Sequence, residues 1–84
     1  MSRTNQLFGQ ILRNARHQRD MTQEDLAEKS GIHRNHISFL ERGLPSPTLE
    51  TLIRVCESLD LKTSEIVAYL EKRLNQEPPN DKYL

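Results

Sequence analysis

Residues 22–43 read TQEDLAEKSGIHRNHISFLERG, and this stretch decides the fold. Thr22 is a good helix N-cap, and Asp25 three residues on makes a near capping box, with Asp where Glu is usual. Leu26 and Ala27 supply a buried side. Gly31 reads as the left-handed residue that ends the helix. A second helix runs from about His33 to Arg42, with Ile32, Ile37 and Leu40 toward the core, and Gly43 stops it. About three residues separate the two helices, so they must cross steeply.

Helical signals continue on both sides. Leu7, Phe8, Ile11, Leu12 and Ala15 share one face of a helix predicted over Gln6–Arg19, which Asp20-Met21 ends. After the pair 22–43 comes Leu44-Pro45-Ser46-Pro47. Ser46 reads as an N-cap and Pro47 as the first residue of a fourth helix, which reaches about Leu59. Leu49, Leu52, Ile53, Cys56 and Leu59 are its expected core face. Thr63 or Ser64 is expected to cap a fifth helix to about Gln76, and the prolines at 78 and 79 forbid its extension. No hairpin signal interrupts the pattern. The chain is therefore expected to be all-α, a compact five-helix domain over residues 1–76 with a mobile tail at 77–84.

Composition narrows the classes. The 84 residues allow one domain and leave no room for a separate sensor. No apolar run approaches the ~20 residues of a membrane span, and the first residues lack a signal-peptide core. A lone Cys56 excludes an internal disulfide and suits a reducing cytoplasm; at core spacing it reads as a small buried hydrophobe. Twelve Lys plus Arg balance twelve Asp plus Glu, and that zero net charge argues against a nucleic-acid partner. The distribution argues the other way. Residues 1–42 carry +2, residues 43–84 carry −2, and residues 1–19 hold four Arg and no acid.

The 22–43 stretch resembles the helix-turn-helix of Xre/Cro-type transcriptional regulators in T-Q-E-D-L-A, the turn Gly31, the core Ile32, Ile37 and Leu40, and the closing E-R-G. LRNARHQRDM before it and PSPTLETLIRVCESL after it look like helices one and four of the same lambda-repressor-like domain, so the resemblance spans roughly residues 6–70. His33–Ser38 is also similar to the start of the recognition helix in restriction–modification controller proteins, with His36 where Tyr is usual. The resemblance implies a sequence-specific DNA-binding regulator, in which helix two crosses the DNA backbone and helix three enters the major groove.

On that reading, the angular positions of helix three point Arg34, Asn35, Ser38 and Phe39 toward base edges. Arg34 can grip guanine O6 and N7, Asn35 can pair with adenine, and Phe39 can meet a thymine methyl. Thr22 and Gln23 lie at a helix N-terminus, where N–H groups attract phosphate. His33, His36, Arg42, Arg13 and Arg19 are further candidates for the DNA backbone. The family resemblance implies a structural salt bridge between Arg16 and Glu41. Val67, Tyr69, Leu70 and Leu74 on helix five are expected to form a homodimer interface, giving two recognition helices and a palindromic operator. A second reading is a protein-interaction module, antitoxin-like or adaptor, that binds a protein partner through the helical domain and the tail. No metal is expected, because His33 and His36 have no accompanying ligand motif. No cofactor is expected either, and no nucleophile–base set or phosphate loop points to an enzyme.

Overall fold

The computed structural model describes residues 2–76. The tail expected at 77–84, with the partner role assigned to it, lies outside the described residues. Among those described there are five helices and no strand: α1 (Arg3–Gln18), α2 (Gln23–Ser30), α3 (Arg34–Glu41), α4 (Leu49–Ser58) and α5 (Thr63–Asn75). No helix among the described residues is long and apolar enough to cross a membrane.

Local chemistry explains most boundaries. The capping box at α2 is complete: the Thr22 hydroxyl accepts from the Asp25 N–H at 3.0 Å, and the Asp25 carboxylate accepts from the Thr22 N–H at 2.9 Å. Gly31 ends α2 at φ 76°, a conformation that Cβ sterics disfavour. His33 caps α3 through its ring, with Nδ1 accepting from the Asn35 N–H at 3.1 Å. Two turns share one solution. After α1 and after α4 a non-glycine, Asp20 (φ 53°) and Asp60 (φ 56°), takes the left-handed position. The next residue's N–H then bonds back to Arg16 and Cys56 respectively.

Other boundaries depart from expectation. Helix α1 begins three residues earlier than predicted, at Arg3, because the Ser2 hydroxyl caps it. The cap of α4 is Thr48, not Ser46, and Pro47 precedes the helix. Ser46 bonds instead to the Asn5 side chain of α1, which pins the α3–α4 loop. At α5 neither Thr63 nor Ser64 caps. Lys62 holds that position without a side-chain bond.

The core collects Leu7, Phe8, Leu12 and Ala15 of α1, Leu26 of α2, Ile37 and Leu40 of α3, Val55 of α4, Leu59 after it, and Leu70 of α5. Helix α1 packs on α3 and α5, while α4 packs on α2 and α5. The inward face of α4 is rotated from the expected one. Leu49 (77% exposed) and Ile53 (43%) point outward, and Thr51, Val55 and Ser58 point inward. The small hydroxyl residues can be buried because their own helix satisfies them, Thr51 through Thr48 and Ser58 through the Arg54 carbonyl. Burial pushes the Cys56 thiol above its ordinary pKa, as suits a packed rather than a reactive sulfur.

Gly9, in the middle of α1, sets the closest helix contact. A Cβ there would lie 2.6 Å from the carbonyl oxygens of both Leu40 and Glu41. Those oxygens belong to backbone at the end of α3 and cannot swing aside. On an exposed helix, Gly→Ala would stabilise by about 1 kcal/mol. Here Gly9→Ala should instead destabilise by about 1–3 kcal/mol, by forcing α1 and α3 apart. Urea unfolding of the two proteins checks the sign.

Candidate nucleic-acid interface

The start of α2 and the whole of α3 are held in place by one buried ion pair. Arg16 of α1 donates from Nε to Glu41 Oε2 at 2.7 Å and from Nη2 to Oε1 at 2.9 Å, a two-pronged contact. Its third nitrogen, Nη1, donates to the Met21 carbonyl in the α1–α2 turn at 2.8 Å. The side chains are only 8% and 4% exposed. Donating to the Glu41 carboxylate raises the Arg16 pKa further, outweighing the burial that opposes it. Gln23 joins the cluster, donating its side-chain amide to Glu41 Oε1 at 3.2 Å. One carboxylate thus binds the end of α1, the beginning of α2 and the end of α3.

The outer face of α3 is what this clamp presents. Arg34, Asn35, His36 and Phe39 are exposed, and Ser38 is half-buried beside them. Ile37 (0% exposed) and Leu40 (1%) anchor the opposite face. Phe39 keeps 44% of its surface exposed, an uneconomical place for an aromatic ring. Arg42 stacks over that ring with its guanidinium carbon 5.0 Å from the centroid. Arg34 pairs through Nε with Glu24 of α2 at 2.9 Å. No feature of the sequence singles out Glu24. Its position in the first turn of α2, opposite the first turn of α3, is a tertiary fact.

The remaining candidates spread around this face. Thr22 is exposed at the α2 N-terminus, but its own N–H is taken by the capping box. Gln23 is half-buried and turned toward Glu41 rather than fully outward. His33 is exposed, and because Nδ1 accepts a bond, the ring proton belongs on Nε2, facing away from the helix cap. Arg13 on α1 and Arg19 just after it are exposed, and Arg19 folds back to donate to the Ala15 carbonyl at 3.0 Å. On α5 one correction is needed. Leu70 is 8% exposed and belongs to the core, and Leu74 is half-buried against it. Val67 (40%) and Tyr69 (45%) remain outside.

Comparison with known proteins agrees with this geometry. A helix-turn-helix family model matches residues 12–66, from the second half of α1 into α5. The chain belongs to the Xre/Cro-type helix-turn-helix family. An uncharacterised helix-turn-helix transcriptional regulator of Sinorhizobium fredii, y4dL, is 43% identical over 53 residues; these are 63% of this chain and 27% of the relative, so this chain spans about a quarter of that protein. The control protein C.BamHI of Bacillus amyloliquefaciens is 31% identical over 64 residues, covering 75% of this chain and 79% of that one. Among solved structures, the restriction–modification controller protein C.AhdI of Aeromonas hydrophila superposes with a TM-score of 0.70 at 33% identity, over 73% of this chain and 92% of that one. The five-helix all-α fold is that of the helix-turn-helix controller proteins, and the relatives are regulators rather than enzymes.

Two measurements follow for this helix-turn-helix. Arg16→Ala leaves Glu41 buried without its cation and should cost about 3–5 kcal/mol in urea unfolding. Arg16→Lys should recover only part of that, since an ammonium cannot reproduce the two-pronged contact. Hydrogen bonds from the Thr22 backbone and hydroxyl hold the Asp25 carboxyl below its ordinary pKa. Stability from Asp25 is therefore present above about pH 4 and lost as pH falls through the lowered value. Thermal melts of Asp25→Ala and the parent protein should differ at neutral pH and converge in acid.

Proposed function

We propose that this chain is a sequence-specific DNA-binding transcriptional regulator that acts in the cytoplasm as a homodimer on a palindromic operator. The observation that carries the proposal is the outer face of α3. A clamped helix of eight residues turns Arg34, Asn35 and Phe39 to solvent, with Ser38 half-buried beside them, while Ile37 and Leu40 hold it to the core. That placement is what insertion into a major groove requires. Family membership and the named roles of the relatives as transcriptional regulators and control proteins support the same reading.

The residue roles follow from chemistry. Arg34 and Asn35 read guanine and adenine edges, Ser38 either, and Phe39 a thymine methyl. Gln23 spends one amide N–H on Glu41 and has a second for a phosphate. Thr22, His33 through Nε2, His36, Arg42, Arg13 and Arg19 serve the DNA backbone, so affinity should fall as salt rises. Val67 and Tyr69 of α5, with Leu74 at their edge, form the face toward a second copy; Leu70 does not take part. Two copies then place two α3 helices about one DNA turn, roughly 34 Å, apart.

Selection from random duplex DNA should return a palindrome whose half-sites are spaced by one turn. Repeating it with Arg34→Ala should lose about 1–3 kcal/mol of discrimination at one guanine per half-site. Sedimentation should show a dimer at micromolar concentration. A pool that shows no enrichment, or a monomer bound to lone half-sites, overturns the regulator or the dimer respectively.

A further inference from the structure

We propose that Glu24 is a positioning residue for Arg34, one that lowers affinity for all DNA in exchange for selectivity at one base. The inference rests on the reading of α3 as the base-reading helix. Glu24 lies in the first turn of α2 and Arg34 opens α3. Their contact is made at Nε, 2.9 Å from Glu24 Oε2. A guanidinium carries its five N–H donors in one rigid plane. With the carboxylate on the Nε side, the Nη edge is left to make a two-pronged contact with guanine O6 and N7. The carboxylate thus favours the end-on approach of the guanidinium over the alternative that uses Nε.

Folding does not call for this pair. Both partners are well exposed, 50% and 66%, and exposed ion pairs contribute little to stability. A carboxylate on the DNA-facing side also repels phosphates at every sequence. That penalty is offset only where the oriented Arg34 meets a guanine. A negative charge in the first turn of α2 also suits the helix dipole, and Glu24 adds to the electrostatic support of Arg16. A merely structural role of this kind would alter the melting temperature and leave the base preference untouched.

Four proteins make the test: the parent, Glu24→Gln, Arg34→Ala and the double variant. Each is measured at fixed salt on the selected operator, on the operator with the Arg34-dependent guanine replaced, and on random duplex. Glu24→Gln should bind random duplex about twofold or more tighter and reduce the guanine preference about fivefold. In the Arg34→Ala background the same change should leave preference at that position unaltered. The positioning role is overturned if Glu24→Gln keeps the parent's guanine preference while Arg34→Ala abolishes it. It is equally overturned if Glu24→Gln shifts the preference by the same factor with and without Arg34. If Arg34→Ala itself changes no base preference, the failure lies in the recognition reading of α3, and this inference falls with it.

Discussion

The Arg16–Glu41 pair is the constraint on which the interface depends. Three elements meet at one carboxylate, and Arg16 and Glu41 would each otherwise be buried as an unpaired charge. Removing two charges from water costs several kcal/mol per ion, which is recovered only when geometry is good and the remaining donors are satisfied. Both conditions hold here: Arg16 fills the two oxygens of Glu41 and reaches the Met21 carbonyl, and Gln23 completes the set. Such a pair contributes less net stability than specificity of arrangement. An apolar contact carries no directional requirement, whereas each of these hydrogen bonds weakens when its donor and acceptor turn out of line. On the proposed reading, a groove-reading helix needs its side chains fixed relative to the base edges, and the pair ties the end of α3 to α1 and α2.

Helix α3 could not hold its shape alone. Eight residues fall well short of the length at which an isolated helix is stable in water. Its order comes from Ile37 and Leu40 in the core, from the His33 ring at its start, and from Glu41 at its end. Gly9 belongs to the same group of supports, since its missing side chain lets α1 lie directly on the carbonyls that close α3. The outer face is thereby released from structural duty. Phe39 can stay exposed under Arg42, and Arg34 can point outward from Glu24, because neither is needed to keep the helix in place.

What could be read from the sequence was what short-range chemistry determines. The capping box at Thr22 and the left-handed Gly31 depend on neighbours two to five residues away, and both stand as read. The rotated face of α4 was hidden because apolar spacing favoured Leu49 and Ile53, whereas burial fell on Thr51 and Ser58, whose hydroxyls are satisfied within the helix. Leu70 fitted either a core or an interface by periodicity alone, and the packing of α5 on α1 and α4 decided for the core. Gly9 and Glu24 carried no legible signal beyond a glycine inside a helical pattern and an acid on a polar face. Their meaning lies in what sits opposite them, Glu41 and Arg34, at separations in sequence that no local rule spans.

The zero net charge acquires a physical sense from this arrangement. A strongly basic surface would draw the chain to any DNA, since phosphate attraction is indifferent to sequence. Here Glu24 and Glu41 stand among the cations of the helix-turn-helix. Glu41 is buried and neutralised by Arg16, so it adds little field at the surface. Glu24 remains exposed and offsets part of the attraction that Arg34 would otherwise exert on every phosphate. A neutral molecule binds random DNA less tightly than a basic one. On the proposed reading of α3, the share of affinity owed to matching base edges would be correspondingly larger, and that share is what distinguishes an operator from its competitors.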